Sequence, residues 1–166
     1  MSKQAHRRAQ SLLLMATLFI LWASIYLQYE VGLQPCPLCL VQRFCAILFA
    51  VMCFGGMCLS KLSRSRVLTL IQMLIALAGV YFAARQVWLQ SLPKENMPAC
   101  LPGFDILIHY FPWQDILLAL FWGSGECAEV TWTLLGLSLP AWALLYFIIM
   151  FLGTMVLFFK LESTKT

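Results

Sequence analysis

Charge is scarce in this sequence. Of its 166 residues only 11% are Asp, Glu, Lys or Arg, against about 25% in an average soluble domain. So few charges argue against a globule that must coat itself with a solvated surface. Disorder is disfavoured for the opposite reason, since 62% hydrophobic and 14% aromatic residues leave nothing to hold the chain open in water. The formal net charge is only +4, and it is sorted by position, which argues for membrane orientation and against nucleic-acid binding. A second C-x-x-C knuckle is also missing, and Cys100 and Cys127 stand 27 residues apart, so the pattern of a structural zinc site is absent and no metal is expected.

What the chain has in abundance is uninterrupted apolar sequence, with a mean hydropathy of +0.85. Residues 10–29, 44–60, 67–84 and 130–159 contain no Asp, Glu, Lys or Arg. A helix needs about 20 residues to cross a ~30 Å hydrocarbon core. With Arg43 and Arg85 allowed at interfaces, and Pro140 opening the last helix, the predicted spans are 10–29, 42–60, 67–86 and 140–159. The fold class is therefore an all-α membrane protein, a four-transmembrane-helix bundle forming a single domain over 1–166, with two outward loops at about 30–41 and 90–139. Ala76, Gly79 and Ala83, and the Gly55, Gly56 pair, suit close helix approach. Residues 111–122 (FPWQDILLALFW) are too few to span and read as a short interfacial helix in the second loop, with a buried loop helix as the plainer alternative.

Orientation follows from the basic residues. Lys3, Arg7, Arg8, Lys61, Arg64, Arg66, Lys160 and Lys165 fall on one side of four alternating helices, whereas Glu30, Glu95, Asp105, Asp115, Glu126 and Glu129 fall on the other. The positive-inside rule makes the first side cytoplasmic, with both termini. The first span begins like a secretory signal, but its apolar run exceeds the usual ~7–15 residues and no A-x-A site follows, so it is read as an uncleaved helix.

Topology divides the seven cysteines. Cys45, Cys53 and Cys58 lie within the second span and read as small apolar packing residues. Cys36, Cys39, Cys100 and Cys127 lie in the outward loops, where disulfides persist. Four cysteines allow three connectivities, and sequence does not choose among them. Local closure of the C-x-x-C favours Cys36–Cys39, which leaves Cys100 and Cys127 to pair within the other loop. In the run Pro35, Cys36, Pro37, Leu38, Cys39, the second proline is placed to open the second helix. Cys39 then sits in the first turn, where unpaired N–H groups favour a thiolate. Arg43 follows at i+4, on the same face. A thiolate beside a fixed cation at the membrane's edge is a redox arrangement; for Arg43 alone, an interfacial anchor is the plainer reading.

These residues resemble the DsbB family of membrane thiol:quinone oxidoreductases. The likeness rests on the C-x-x-C after the first span, Arg43 four residues past its second cysteine, and two cysteines in the long outer loop. It extends through Gly123, Ser124, Gly125, Glu126, Cys127, Ala128 and Glu129 to Leu135, Gly136, Pro140, Ala141 and Trp142. The chain departs from some relatives in carrying Gln42 where they have Glu, and in lacking a histidine before Cys100.

The resemblance implies reoxidation of a DsbA-like periplasmic thiol oxidase, in the DsbA–DsbB–quinone route that keeps the bacterial periplasm oxidising. It implies catalytic roles for Cys36, Cys39, Cys100 and Cys127. The soluble partner attacks a Cys100–Cys127 disulfide through Cys100, Cys127 exchanges with Cys36, and Cys39 is freed as a thiolate. Arg43 is implied as the quinone-binding residue, with ubiquinone or menaquinone as acceptor. Membrane quinone and lipid are then the remaining partners, and the location is the bacterial inner membrane with periplasmic redox loops. DsbA sits near −120 mV and ordinary structural disulfides lie below about −300 mV, so passing two electrons to an inert staple is uphill by roughly 8 kcal/mol. The loop disulfides must be activated, and the quinone must draw the sequence forward. Three other readings remain at this stage: a paralogue oxidising a different periplasmic thiol partner, a vitamin K epoxide reductase-like enzyme, and a non-enzymatic membrane scaffold. In the second family the C-x-x-C lies late in the chain, the reverse of the order here; the third leaves the spacing of Arg43 from Cys39 unexplained.

Overall fold

The structure, a computed structural model, describes residues 3–32, 35–58, 62–93, 112–114, 121–123, 125–128, 130 and 132–163. Helix α1 covers Lys3–Glu30, α2 Pro37–Cys58 and α3 Leu62–Gln90. A 3-10 turn at Gly125–Cys127 is followed by strands β1 Thr133–Leu134 and β2 Leu137–Ser138, and α4 closes the chain at Leu139–Glu162. Among the described residues, all four α-helices are long and apolar enough to cross a membrane. Their outward faces carry Leu12, Phe19, Trp22, Phe54, Ile149 and Phe159, all exposed, as suits surfaces meeting lipid tails rather than water. The protein is a multi-pass membrane helical bundle.

Each helix runs past its charge-free stretch. α1 takes in Arg7 and Arg8, α2 begins before Arg43, and α3 contains Arg64, Arg66 and Arg85. Charge marks where hydrocarbon ends; it does not stop a helix, whose backbone bonds are satisfied internally on either side of that boundary.

Cross-helix hydrogen bonds fix the helix directions. Arg43 near the start of α2 meets Ser24 and Gln28 near the end of α1. Gln42 and Cys53 of α2 meet Gln86 and Gln72 of α3, in reverse order. The first turns of α3 reach the end of α4 through Arg66 Nη2, which donates to the Leu161 carbonyl, and Gln90 at the far end of α3 accepts from Ser138 at the start of α4. Tyr146 Oη donates to Thr17 Oγ1 at 2.9 Å and joins α4 to α1. The bundle is thus up-down-up-down, with both chain ends at one side.

Small residues decide how closely the helices approach. Ala76 and Ala83 are fully buried, and a Cβ added at Gly79 would strike the Phe147 ring of α4. The expected small-residue stripe of α3 is therefore the seat of a large aromatic. Gly56 gives Gln10 similar room, with the Gln10 Cδ only 3.1 Å from where a Cβ would stand. Gln10 and Gln72 exchange two amide hydrogen bonds, of 3.1 and 2.9 Å, which satisfies both side chains away from water. Thr17, Thr69 and Thr154 return their hydroxyls to carbonyls of their own helices.

Of the segment 111–122, residues 113–114 and 121–122 are helical and Pro112 is not; the remainder of that expected interfacial helix lies outside the described residues, as does Cys100. Beyond it, Leu135 (φ 54°) and Gly136 (φ 81°) form the two-residue turn of the β1–β2 hairpin. Positive φ at both positions suits the right-handed twist of the strands and hands the chain to Ser138, the extended residue preceding α4.

Candidate functional site

The site is built at the end of the bundle opposite the two chain termini, where α2 begins and α3 ends. Pro37 is the first helical residue of α2, as its fixed φ and missing N–H favour. The Leu40 N–H bonds the Cys36 carbonyl at 3.1 Å, so Cys36 caps the helix and Cys39 stands in its first turn. The N–H groups of that turn lack intrahelical acceptors and present a positive end to the sulfur. Cys36 Sγ and Cys39 Sγ lie 2.8 Å apart.

A third cysteine joins them from a distant part of the chain. Cys127 is fully buried, and its side chain lies near enough to Cys36 to perturb that thiol. Its approach depends on Gly123, whose φ is +81°. A Cβ there would lie 2.6 Å from Leu89 Cδ1 and 2.8 Å from Leu38 Cδ1, so only glycine lets this backbone press onto the ends of α2 and α3. The 3-10 turn, closed by a 3.0 Å bond from the Ala128 N–H to the Gly125 carbonyl, then delivers Cys127 to Cys36. Contact with the Cys127 thiol first, then with the Cys39 thiol and through burial, pushes the Cys36 thiol well above the ordinary thiol range. A thiol raised in this way is a poor leaving group in disulfide exchange.

Two glutamines complete the cluster. Gln86 Nε2 donates to Cys36 Sγ and to Cys39 Sγ, each at 3.2 Å. Gln42 Nε2 donates to Gln86 Oε1 at 2.7 Å. Both side chains are buried. Sequence reasoning singled out Gln42 only as a departure from a family pattern and did not find Gln86. The available signal was cost: an amide in an otherwise apolar span needs a partner.

Arg43 is placed differently from the simple i+4 expectation. Its Nη1 donates to Gln28 Oε1 at 2.6 Å and its Nη2 to Ser24 Oγ at 2.8 Å, both on α1. Its Nε is buried with no hydrogen-bond partner among the described residues. The guanidinium thus straps α1 to α2 beside the cysteines. Of the inner cysteines, Cys45 and Cys53 are buried as packing residues, with Cys53 Sγ also accepting from Gln72 Nε2 at 3.5 Å. Cys58, expected to pack likewise, is exposed, because it is the last residue of α2.

A four-helix membrane bundle that gathers three cysteines from two separate segments at one end has the design of a membrane disulfide oxidoreductase. Residues 6–157 match the family model described as Disulfide bond formation protein DsbB, and the chain belongs to that family. It is 41% identical over 135 residues to Disulfide bond formation protein B 1 of Pseudomonas aeruginosa, covering 81% of this chain and 83% of the relative. Disulfide bond formation protein B of Stutzerimonas stutzeri is 43% identical over 127 residues, 75% of this chain and 77% of its own. That of Chromohalobacter salexigens is 45% identical over 143 residues, 84% and 82% respectively. No solved structure is significantly similar to the chain.

Proposed function

We propose that the protein is a thiol:quinone oxidoreductase that reoxidises a DsbA-like soluble thiol oxidase and so sustains disulfide bond formation. The observation that carries this reading is the contact of Cys127 with Cys36 while Cys36 stands 2.8 Å from Cys39. Three sulfurs in sequence are what a two-step thiol–disulfide relay requires.

In this relay the partner's dithiol reduces a Cys100–Cys127 disulfide, with attack at Cys100. The partner leaves as a disulfide, and Cys100 and Cys127 are left as thiols. Cys127, as thiolate, attacks Cys36 of a Cys36–Cys39 disulfide; a Cys36–Cys127 bond forms and Cys39 leaves as a thiolate. Cys100 then attacks Cys127, which restores the loop disulfide and frees Cys36. The Cys36 and Cys39 thiols reclose by losing two electrons and two protons. A membrane quinone, ubiquinone or menaquinone, accepts both when bound. The residues present suit such a group: Arg43 has a buried Nε donor with no partner among the described residues to offer a carbonyl oxygen, and Leu40 and Phe44, its apolar neighbours on the same helix, are not fully buried. On this reading the protein lies in the bacterial inner membrane, its termini cytoplasmic and its cysteine end periplasmic, which the basic residues at the two chain ends support.

The test is the purified chain in liposomes, supplied with quinone and a reduced DsbA-like partner. One quinone consumed per partner disulfide formed is expected. Thiols that persist at the rate of protein-free liposomes would overturn the proposal.

A further inference from the structure

Gln86 and Gln42 are neutral, buried and joined to each other, and neither enters the relay of sulfurs. A glutamine amide presents a donor on one side and an acceptor on the other, and rotation by half a turn exchanges them. At Gln86 that choice is already made. Gln42 Nε2 donates to Gln86 Oε1 at 2.7 Å, so a rotated Gln86 would set one NH2 group against another. With Gln42 so placed the Gln86 NH2 faces the cysteines, its two N–H bonds divided between two sulfurs at equal distances of 3.2 Å, while Oε1 keeps a longer 3.6 Å contact from Cys39 Sγ.

We propose that Gln86, oriented by Gln42, is a positioning residue of the redox centre, whose amide NH2 holds Cys36 and Cys39 in exchange geometry and stabilises the sulfur that becomes a thiolate. This deepens the relay proposed above and rests on it. A hydrogen bond to a charged group is stronger than one between neutral groups, so the amide holds the reduced, thiolate form more firmly than the disulfide. Stabilising the reduced form raises the reduction potential of the pair and makes it a better acceptor of electrons from Cys127. The departure at position 42 acquires a reason. A carboxylate there is acceptor-only and would face Gln86 Oε1 with like polarity, turning the amide so that its oxygen meets the sulfurs.

The experiment uses the full chain in detergent micelles with three variants, Gln86→Leu, Gln42→Glu and Gln42→Met. Two quantities are read: the alkylation rate of reduced Cys39 at neutral pH, followed by peptide mass, and the reduction potential of the Cys36–Cys39 pair. Gln86→Leu and Gln42→Glu are expected to slow alkylation roughly tenfold, the effect of losing one hydrogen bond to a charged group, and to lower the potential by about 30 mV, the same factor for a two-electron couple. Gln42→Met leaves Gln86 in place without its guide, and a smaller shift in the same direction is expected. Should Gln86→Leu fail to accumulate folded, the two position-42 variants decide. Wild-type values of both quantities in the folded variants overturn the proposal. Neither readout involves quinone or the soluble partner, so a wild-type chain that fails to reduce quinone would sink the proposed function while leaving this measurement to stand.

Discussion

Arg43 of α2 is bonded to Gln28 of α1 by a 2.6 Å hydrogen bond from Nη1 to Oε1. With the second bond from Nη2 to Ser24 Oγ, the cation nearest the redox pair in sequence is committed to the neighbouring helix. Two roles follow from one side chain. The fork of donors fastens α1, and on the proposed function Nε, buried with no hydrogen-bond partner among the described residues, is the donor for a ligand oxygen.

Arg43→Ala is therefore expected to act on both. The apparent KM for quinone should rise roughly tenfold, the effect of one charge-assisted hydrogen bond of about 1.5 kcal/mol, and the melting temperature should fall as α1 loosens. Arg43→Lys should fall between, since it keeps the charge and loses the fork. Capture of the soluble partner at Cys100 should stay near wild type in both variants. Initial rates against quinone concentration, beside a thermal melt, check this; an unchanged KM with a lowered melting temperature would leave Arg43 a strap between helices and nothing more.

On the proposed relay the outer cysteines divide their labour. Cys100→Ser should abolish formation of a mixed disulfide with the partner, whereas Cys36→Ser should still capture it and block onward transfer. Non-reducing gels of the two variants incubated with partner distinguish the cases, and equal trapping by both would contradict the division.

The contact between Cys127 and Cys36 has its own signature. Because that contact is the first cause holding the reduced Cys36 thiol above its ordinary range, removing it lowers the value and enlarges the thiolate fraction at a given pH. Cys127→Ala should therefore speed alkylation of reduced Cys36, and the pH at which that reaction sets in should move down. A rate unchanged across pH 7 to 10 would show that the two thiols do not meet.

Replacing Cys45, Cys53 and Cys58 together by Ala should leave quinone reduction largely intact. Cys53 accepts a hydrogen bond from Gln72, but Gln72 keeps its two bonds with Gln10, so the amide is not left unsatisfied. Turnover that collapses in a folded triple variant would reveal a further redox group inside the bundle.

Gly79→Ala should destabilise the bundle by about 1–3 kcal/mol, the usual cost of overpacking, because the added methyl collides with Phe147. Phe147→Leu in the same chain should recover part of the loss by vacating that space. Resistance to thermal unfolding in detergent is the measurement, and a Gly79→Ala chain as stable as wild type would mean that α3 and α4 meet elsewhere.

The sequence alone determined the number of membrane-crossing helices, because hydropathy is a local quantity and a run of apolar residues has few other stable places to go. It determined the opening of α2 at Pro37 and the first-turn position of Cys39, because proline and helix-end chemistry act within a few residues. Tertiary structure decided the rest of the site. That Cys127 comes to Cys36 depends on Gly123, which closes on Leu38 and Leu89 where a Cβ would collide. That Gln86 faces two sulfurs depends on Gln42 from another helix, and that Arg43 turns to α1 depends on Gln28 and Ser24 being opposite it. A polar group withdrawn from water takes whichever partner packing brings within about 3 Å, and that partner is chosen by how helices far apart in sequence lie against one another.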